Sequence, residues 1–364
     1  MATSATNRPA AEVREDALAC FLAERSRLFG LAYRMLGSVA EADDVTQEVW
    51  LRFAGAASEG GLERPEAWLT TVTTRLCIDR LRSAQHRREV YVGPWLPEPI
   101  LTDRDPAHEV ELDDTIRMAF LHALERLAPA ERAVFLLHEV FATPFAEIAR
   151  MVDRSEAACR QIASRARQRV RSERPRVEVD ERRRSELLDA FLGAVMGGGV
   201  EELETLLAED VVLASDGGPT RRAARHLVTG RRRTARLMHN LAHRTPEGAG
   251  IELAEVNGQP GLVVTVGGVP VMLNVFEFDG PLVRRIHSVL SPDKLAAARV
   301  AMVDPGGDRD SPADVGPPPR IDTRRRVYER DGTRLTGTAP QGGEVARERF
   351  LGASGQTGNP PSDT

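Results

Sequence analysis

Thr143 to Arg171 reads TPFAEIARMVDRSEAACRQIASRARQRVR, and its two halves have different chemistry. In the first half Phe145, Ile148, Ala149 and Val152 recur at helical spacing, and Asp153-Arg154-Ser155 interrupts them. Ser155 then stands where its hydroxyl can cap a second helix by accepting from backbone N–H groups of the first turn. In that second helix Ala158, Ile162, Ala166 and Val170 recur every four residues, a narrow apolar stripe suited to packing on a preceding helix. The opposite face carries Arg160, Gln161, Ser164, Arg165, Arg167, Gln168 and Arg171. A short helix, a turn and a basic helix form a helix-turn-helix, whose exposed donors suit phosphates and base edges in a major groove. The alternative is a solvated arginine-rich helix at the edge of a bundle.

At 364 residues the chain exceeds one ordinary domain. Its net charge of -5 means that any affinity for nucleic acid must come from local basic faces. Of 49 lysines and arginines only Lys294 is lysine, so the clustering of arginine is more informative than its abundance. Cys20, Cys77 and Cys159 are widely spaced, which suggests neither a disulfide framework nor a metal motif. No apolar run approaches the roughly 20 residues that span a bilayer. The sequence therefore predicts a cytoplasmic protein with no membrane partner, metal or cofactor.

Outward from the helix-turn-helix, residues 1–13 are polar and expected to be loose. Apolar spacing from Leu18 to Leu36, stopped by Gly37-Ser38, predicts a first helix; Glu41 to Phe53 predicts a second. A glycine-rich loop from Gly55 to Gly61 leads to a third helix, from Pro65 to about Arg88. Four prolines between Pro94 and Pro106 mark a stiff extended tether. Helices are expected from Val110 to Leu127 and from Glu131 to Phe141. Beyond Arg184 two helices, a strand at Val211–Ser215, a helix at Thr234–His243 and four strands between Ile251 and Leu290 predict an α+β domain with a curved antiparallel sheet. Gly, Pro, Asp and Arg dominate residues 304–364, where disorder is expected.

The second helix begins with an acidic corner, Asp43, Asp44 and Glu48, accompanied by Gln47 and Trp50. These carboxylates repel phosphate, so they either meet a basic protein partner or solvate the helix. The third helix joins Trp68 and an apolar stripe to Arg75, Arg80, Arg82 and Arg87, with Asp79 among them. Beside a flexible loop, such groups can stack on an unpaired base and hold backbone phosphates; Trp68 alone is more often core. In the tether, Trp95 and Leu96 need either a third surface or their own helical module to bury them.

These modules, in this order, resemble an extracytoplasmic-function sigma factor of the sigma-70 superfamily. The resemblance covers roughly residues 14–175. It implies that Asp43, Asp44, Gln47, Glu48 and Trp50 dock on the clamp coiled coil of core RNA polymerase. It further implies that Trp68, Arg75, Asp79, Arg80, Arg82 and Arg87 read the minus-ten element of promoter DNA. The minus-35 element falls to Ser155, Arg160, Gln161, Ser164, Arg165 and Arg167. The stretch YVGPWLPEP, Tyr91 to Pro99, is similar to the linker of the subgroup with a fused SnoaL-like domain. That subgroup also carries DGGGK-like and NPDKL-like motifs, whose counterparts are Asp216-Gly217-Gly218-Pro219-Thr220 and Ser291-Pro292-Asp293-Lys294-Leu295. Trp95, Leu96, Pro97, Glu98 and Pro99 would then meet Asp216, Gly217, Gly218, Pro292, Asp293, Lys294 and Leu295 in a regulatory contact. Thr220 stands where the motif has lysine, so Arg221 or Arg222 is expected to supply a cation.

The implied architecture is two all-α modules, sigma region 2 at 14–88 and region 4 at 110–175, joined by a linker at 89–109. A SnoaL-like cone-shaped α+β barrel follows at 182–300. In such a protein the fused domain substitutes for a separate anti-sigma factor, and its cavity offers a site for a small ligand. Two other functions remain open: a conventional regulator using the helix-turn-helix alone, or a small-molecule enzyme fused to it. For the enzyme, Asp216, His226, His239, His243 and His287 are candidates, but their spacing selects no acid–base pair.

Overall fold

The computed structural model describes residues 10–59, 62–88, 91, 93–102, 116–171, 180–245, 248–296, 298–299, 327–328 and 334–335. Ten helices lie among them: α1 Ala10–Leu36, α2 Val39–Glu59, α3 Pro65–Arg88, α4 Met118–Leu124, α5 Pro129–Glu139, α6 Phe145–Val152, α7 Glu156–Arg171, α8 Glu181–Gly197, α9 Val200–Leu206 and α10 Arg231–His243. Several boundaries differ from expectation, among them those of α1 and α2; of the helix expected from Val110 to Leu127 the structure has α4, and residues 110–115 lie outside the described residues. α1 starts at Ala10, because Ala10, Ala11 and Glu12 are strong helix formers that follow a proline. α2 runs through Gly55 to Glu59, so that part of the expected loop is helical; Gly60 and Gly61 lie outside the described residues. A side chain at Gly55 would touch nothing, and Ala54, Ala56 and Ala57 favour helix around it.

The first seven helices share one apolar core, from Ala17 and Phe21 on α1 to Ala166 and Val170 on α7. The two helical modules are thus packed together rather than separated by a free tether. Buried Arg132 on α5 fixes the junction, donating to the Met35 carbonyl at 2.6 Å while pairing with Glu125 at 2.8 Å.

The C-terminal sheet has strands β1 Leu207–Asp216, β2 Val228–Thr229, β3 Ala249–Val256, β4 Gln259–Val266, β5 Val269–Asp279 and β6 Leu282–Val289, with β7 Val327–Tyr328 and β8 Arg334–Leu335. Their order is β2-β1-β6-β5-β4-β3-β7-β8. The sheet is mixed rather than wholly antiparallel, because β1 pairs with β6 in parallel. A hairpin cannot make that pairing; the chain crosses over through α10 and the three strands β3 to β5. β7 and β8 fall within the segment expected to be disordered. Edge strand β3 offers unpaired backbone groups, and Val327 and Tyr328 take them opposite Glu252 and Ile251. Apart from these four residues, the segment 304–364 lies outside the described residues.

Successive residues of a strand face opposite sides, and here both sides are covered. Leu213, Leu262, Val264, Phe276 and Ile286 face α8, α9 and α10, where Phe191 meets Phe276 edge to face with ring centroids 5.0 Å apart. Their neighbours Ala214, Val263, Val275 and Val289 face the other way, onto Leu96 and Leu101 of the linker and Met118 of α4.

Candidate functional site

α2 turns Val45, Val49 and Phe53 into the core and leaves Asp44 and Gln47 exposed, with Asp43 and Glu48 half-buried. One turn beyond Gln47, Leu51 is 71% exposed, and Leu22 on neighbouring α1 is 57% exposed. Trp50 packs on Phe21 at 5.1 Å, and Trp68 packs on Phe53 at 5.7 Å, so both rings are partly structural.

Two arginines expected to read the minus-ten element are engaged inside the molecule. Arg80 lies 3.5 Å from both Asp44 and Glu48 and donates to the Glu41 carbonyl at 3.3 Å, tying α3 to the acidic corner of α2. Arg75 donates to the carbonyls of Met151 and Arg150, each at 3.3 Å, at the end of α6. Arg64 adds a 3.0 Å ion pair with Glu147. Asp79 and Arg82 are exposed, 3.6 Å apart; the side chain of Arg87 lies outside the described residues.

On α7 the Ser155 hydroxyl accepts from the Ala158 N–H at 3.2 Å, the expected cap. The buried stripe is Cys159, Ala163, Ala166 and Val170, with Ile162 partly buried, rather than one starting at Ala158. A strict four-residue repeat drifts about 40° per step around a helix of 3.6 residues per turn, so the buried face mixes spacings of three and four; Asp153, with left-handed backbone at φ 53, ends α6. Ser155, Arg160, Gln161, Ser164 and Arg165 are exposed, whereas Arg167 is half-buried against Glu139 on α5.

The linker is held most tightly. Asp216, at the end of β1, is buried; one carboxylate oxygen accepts from the Tyr91 hydroxyl and from Gly218 N–H, the latter at 2.9 Å. Its other oxygen accepts from Leu96 N–H and from the Lys294 ammonium, each at 2.7 Å. Lys294 also donates to the Leu96 carbonyl and lies 3.8 Å from the centre of the Trp95 ring. The cation beside Asp216 is therefore Lys294. This corrects the expectation of Arg221 or Arg222; Arg222 is exposed and Arg221 half-buried.

Trp95 lies over Gly37, where a Cβ would come within 2.7 Å of the indole, and φ there is +67°. Glycine is needed at that site both to end α1 and to admit the ring. Glu98 then reaches the N-terminus of α2, accepting from Ser38 Oγ at 3.0 Å and Val39 N–H at 2.8 Å. Burial raises its pKa, against the pull of these hydrogen bonds. The side chain of Pro97 meets the same surface of Gly37, and Pro99 is buried.

Asn257 and Gly258 form the tight turn between β3 and β4. Buried at φ 52, Asn257 accepts from Ile100 N–H at 3.0 Å and donates to the Ile116 carbonyl at 2.9 Å and the Tyr33 hydroxyl at 2.7 Å. Tyr33 in turn donates to the Glu98 carbonyl at 2.8 Å, so one amide joins the sheet, the linker, α1 and the entry to α4. No motif drew attention to it; the Asn-Gly pair concealed a second role. Among the other motif residues, Leu295 is buried, Ser291 abuts Gly218, Pro292 is half-buried and Asp293 is exposed.

A last contact joins α4 to the sheet. Buried Glu277 and His287 approach to 3.2 Å, and Glu277 accepts a backbone hydrogen bond from Ala119. His287 meets His122 of α4 edge to face, with centroids 6.0 Å apart, and His122 hydrogen-bonds the Trp95 backbone. Burial and the nearby His287 lower the pKa of His122 to about 4. Burial alone would raise Glu277, but His287 and Arg285 hold it below its ordinary value. His239 and His243 meet separately on α10, their rings tilted with centroids 4.1 Å apart, and His226 is exposed, so the candidate histidines do not converge.

Residues 20–87 match the family model for sigma-70 region 2, and residues 117–170 match that for sigma-70 region 4. The chain is 40% identical over 247 residues to the ECF RNA polymerase sigma factor SigJ of Mycobacterium tuberculosis, covering 66% of this chain and 78% of that one. It is 32% identical over 287 residues to the probable ECF RNA polymerase sigma factor SigI of the same organism, covering 78% and 96%. The crystal structure of M. tuberculosis SigJ superposes with a TM-score of 0.64 at 34% identity, covering 77% of this chain and 98% of that one.

Proposed function

The chain belongs to the extracytoplasmic-function RNA polymerase sigma factors of the sigma-70 family, and from that premise we propose that its C-terminal domain holds the factor in a closed, self-restrained form. As a sigma factor it directs RNA polymerase to promoters. Asp44, Gln47 and Glu48, with the exposed Leu51, form the face offered to the polymerase clamp; a carboxylate rim around a protruding leucine suits a basic coiled coil. The exposed Ser155, Arg160, Gln161, Ser164 and Arg165 meet the minus-35 element, and α3 meets the minus-ten element.

In the closed form Arg75 of the minus-ten reader is held on α6, and Arg64, just before α3, pairs with Glu147 of α6, so both readers cannot engage DNA at promoter spacing until α3 and α6 part. The observation that carries this reading is the Asp216 carboxylate, which accepts from Tyr91, Leu96 and Lys294 and so ties the C-terminal domain to the linker between the readers. The domain acts as a contact surface rather than a catalyst: its one buried acid–base pair, Glu277 and His287 among the described residues, is sealed beneath α4. It acts in the cytoplasm, where the polymerase is.

The test is transcription in vitro with core polymerase over a set of promoters, comparing the full chain with one ending near Asp180. The shortened chain is expected to change both output and the preferred spacing between the two elements. Equal behaviour at every promoter would overturn the restraint while leaving the sigma activity intact.

A further inference from the structure

Between Asp216 and Glu247 the chain has eight arginines and no carboxylate, within a protein whose net charge is -5. Arg222 and Arg225 lie on the loop before β2, Arg232, Arg233 and Arg236 on α10, and Arg244 at its C-terminal end; all six are exposed. The buried side of α10 is Thr234, Ala235 and Met238, which pack on the sheet, so the arginines necessarily face outward.

Another arginine-rich helix shows the contrast. On α8, Arg182 and Arg183 share Glu186. Arginine is abundant in both helices, but on α10 no acid accompanies it. The arrangement also costs stability. Like charges one turn apart, such as Arg232 and Arg236, repel each other, and cations in the first turn of a helix oppose its dipole. α10 has no acidic residue in that turn to offset them.

We propose that this face is a third DNA contact, engaging the phosphate backbone of duplex DNA beside the promoter elements without reading sequence. Thirteen residues of helix span about 20 Å, which matches about six base-pair steps of a duplex. Arginine forks suit phosphate oxygens, and duplex DNA is the polyanion that a sigma factor brings to its own surface. The rest of the chain is acidic overall, so the patch concentrates DNA attraction on one side of the C-terminal domain.

Binding of the full-length chain to a labelled promoter duplex and to a scrambled duplex is measured across a salt titration. Three proteins are compared: the unaltered chain, R232A/R233A/R236A, and the control R182A/R183A. A second patch variant, R232Q/R236Q, keeps side-chain bulk in case the triple alanine fails to fold, and thermal melting checks all four. Each phosphate contact contributes about 0.9 to the salt slope, so the triple variant should lower the slope by about 2 to 3 on both duplexes, with the control unchanged. A slope unchanged in both patch variants overturns the proposal, as does a failure of the unaltered chain to bind either duplex at low salt. Unaltered DNA binding accompanied by lost binding to single-stranded RNA or to phosphatidylglycerol vesicles also overturns it. Promoter-directed transcription by the holoenzyme is a separate readout, so failure of the patch leaves the sigma reading standing.

Discussion

The two faces of the C-terminal sheet follow the same alternation along the same strands, yet one is built to stay closed and the other to hold a contact. The face under α8 to α10 is almost wholly apolar, with Phe191, Phe276, Leu213 and Ile286 at its centre. The face under the linker and α4 has its own apolar patch around Leu96 and Val275, but buries Asp216, Asn257, Gln259, Glu277 and His287 among it. Buried polar groups add little net stability when satisfied and cost much when orphaned, so they specify one partner more than they strengthen a core. A polar, largely hydrogen-bonded face is what a contact needs if it must be specific and still separable.

The largest effect should come from the apolar face. Phe276→Ala removes a fully buried ring and should cost about 3–5 kcal/mol of domain stability, measured by denaturant unfolding. Loss of helical signal and of C-terminal domain structure together would match a face that only supports the fold. A variant that unfolds no more easily than the unaltered chain would erase the contrast between the faces.

Asp216→Ala should cost less in unfolding but more in control. It leaves Lys294 without its carboxylate and the Leu96 N–H without an acceptor, a loss of about 3 kcal/mol concentrated in the linker contact. The linker between Tyr91 and Leu101 should become accessible to protease while the C-terminal domain stays folded, and transcription should shift toward that of the shortened chain. Protection equal to that of the unaltered chain would remove Asp216 from its proposed role.

Much of this comparison was legible in the sequence. The helix-turn-helix, its Ser155 cap and the strand positions followed from spacing, and the Trp95 and Leu96 pair already called for a surface to cover it. The alternation of Val and Leu could not say which face met a core and which met the linker, because both faces are covered and both read as apolar. Lys294 was visible but was not matched to Asp216, since 78 residues separate them and only the parallel pairing of β1 with β6 brings the strand ends together. Arg75 and Arg80 read as free cations because a helix shows its own spacing, not the carbonyls and carboxylates that neighbouring helices bring to it.

The smallest effect is the one that acid should produce on the polar face alone. His122 faces His287, Glu277 and Arg285 from the sheet, Glu125 and Arg126 from its own helix, and Arg132 from α5 through Glu125. Its pKa in the docked form is about 4, below the 6.5 of the free side chain, so the docked form takes up a proton less readily than the undocked one. The contribution of His122 to docking is therefore complete above about pH 6.5 and is lost as pH falls toward 4, by at most about tenfold per pH unit. Glu277, held below its ordinary value, acts in the same direction at the acid end: its contribution is lost as pH falls through its lowered pKa. Protease access to the linker should thus rise between pH 6.5 and 5 in the unaltered chain and stay flat in His122→Asn. The apolar face has no titrating group at its centre, so its unfolding should not follow that window; if both faces loosened together over the same pH range, the distinction between them would fail.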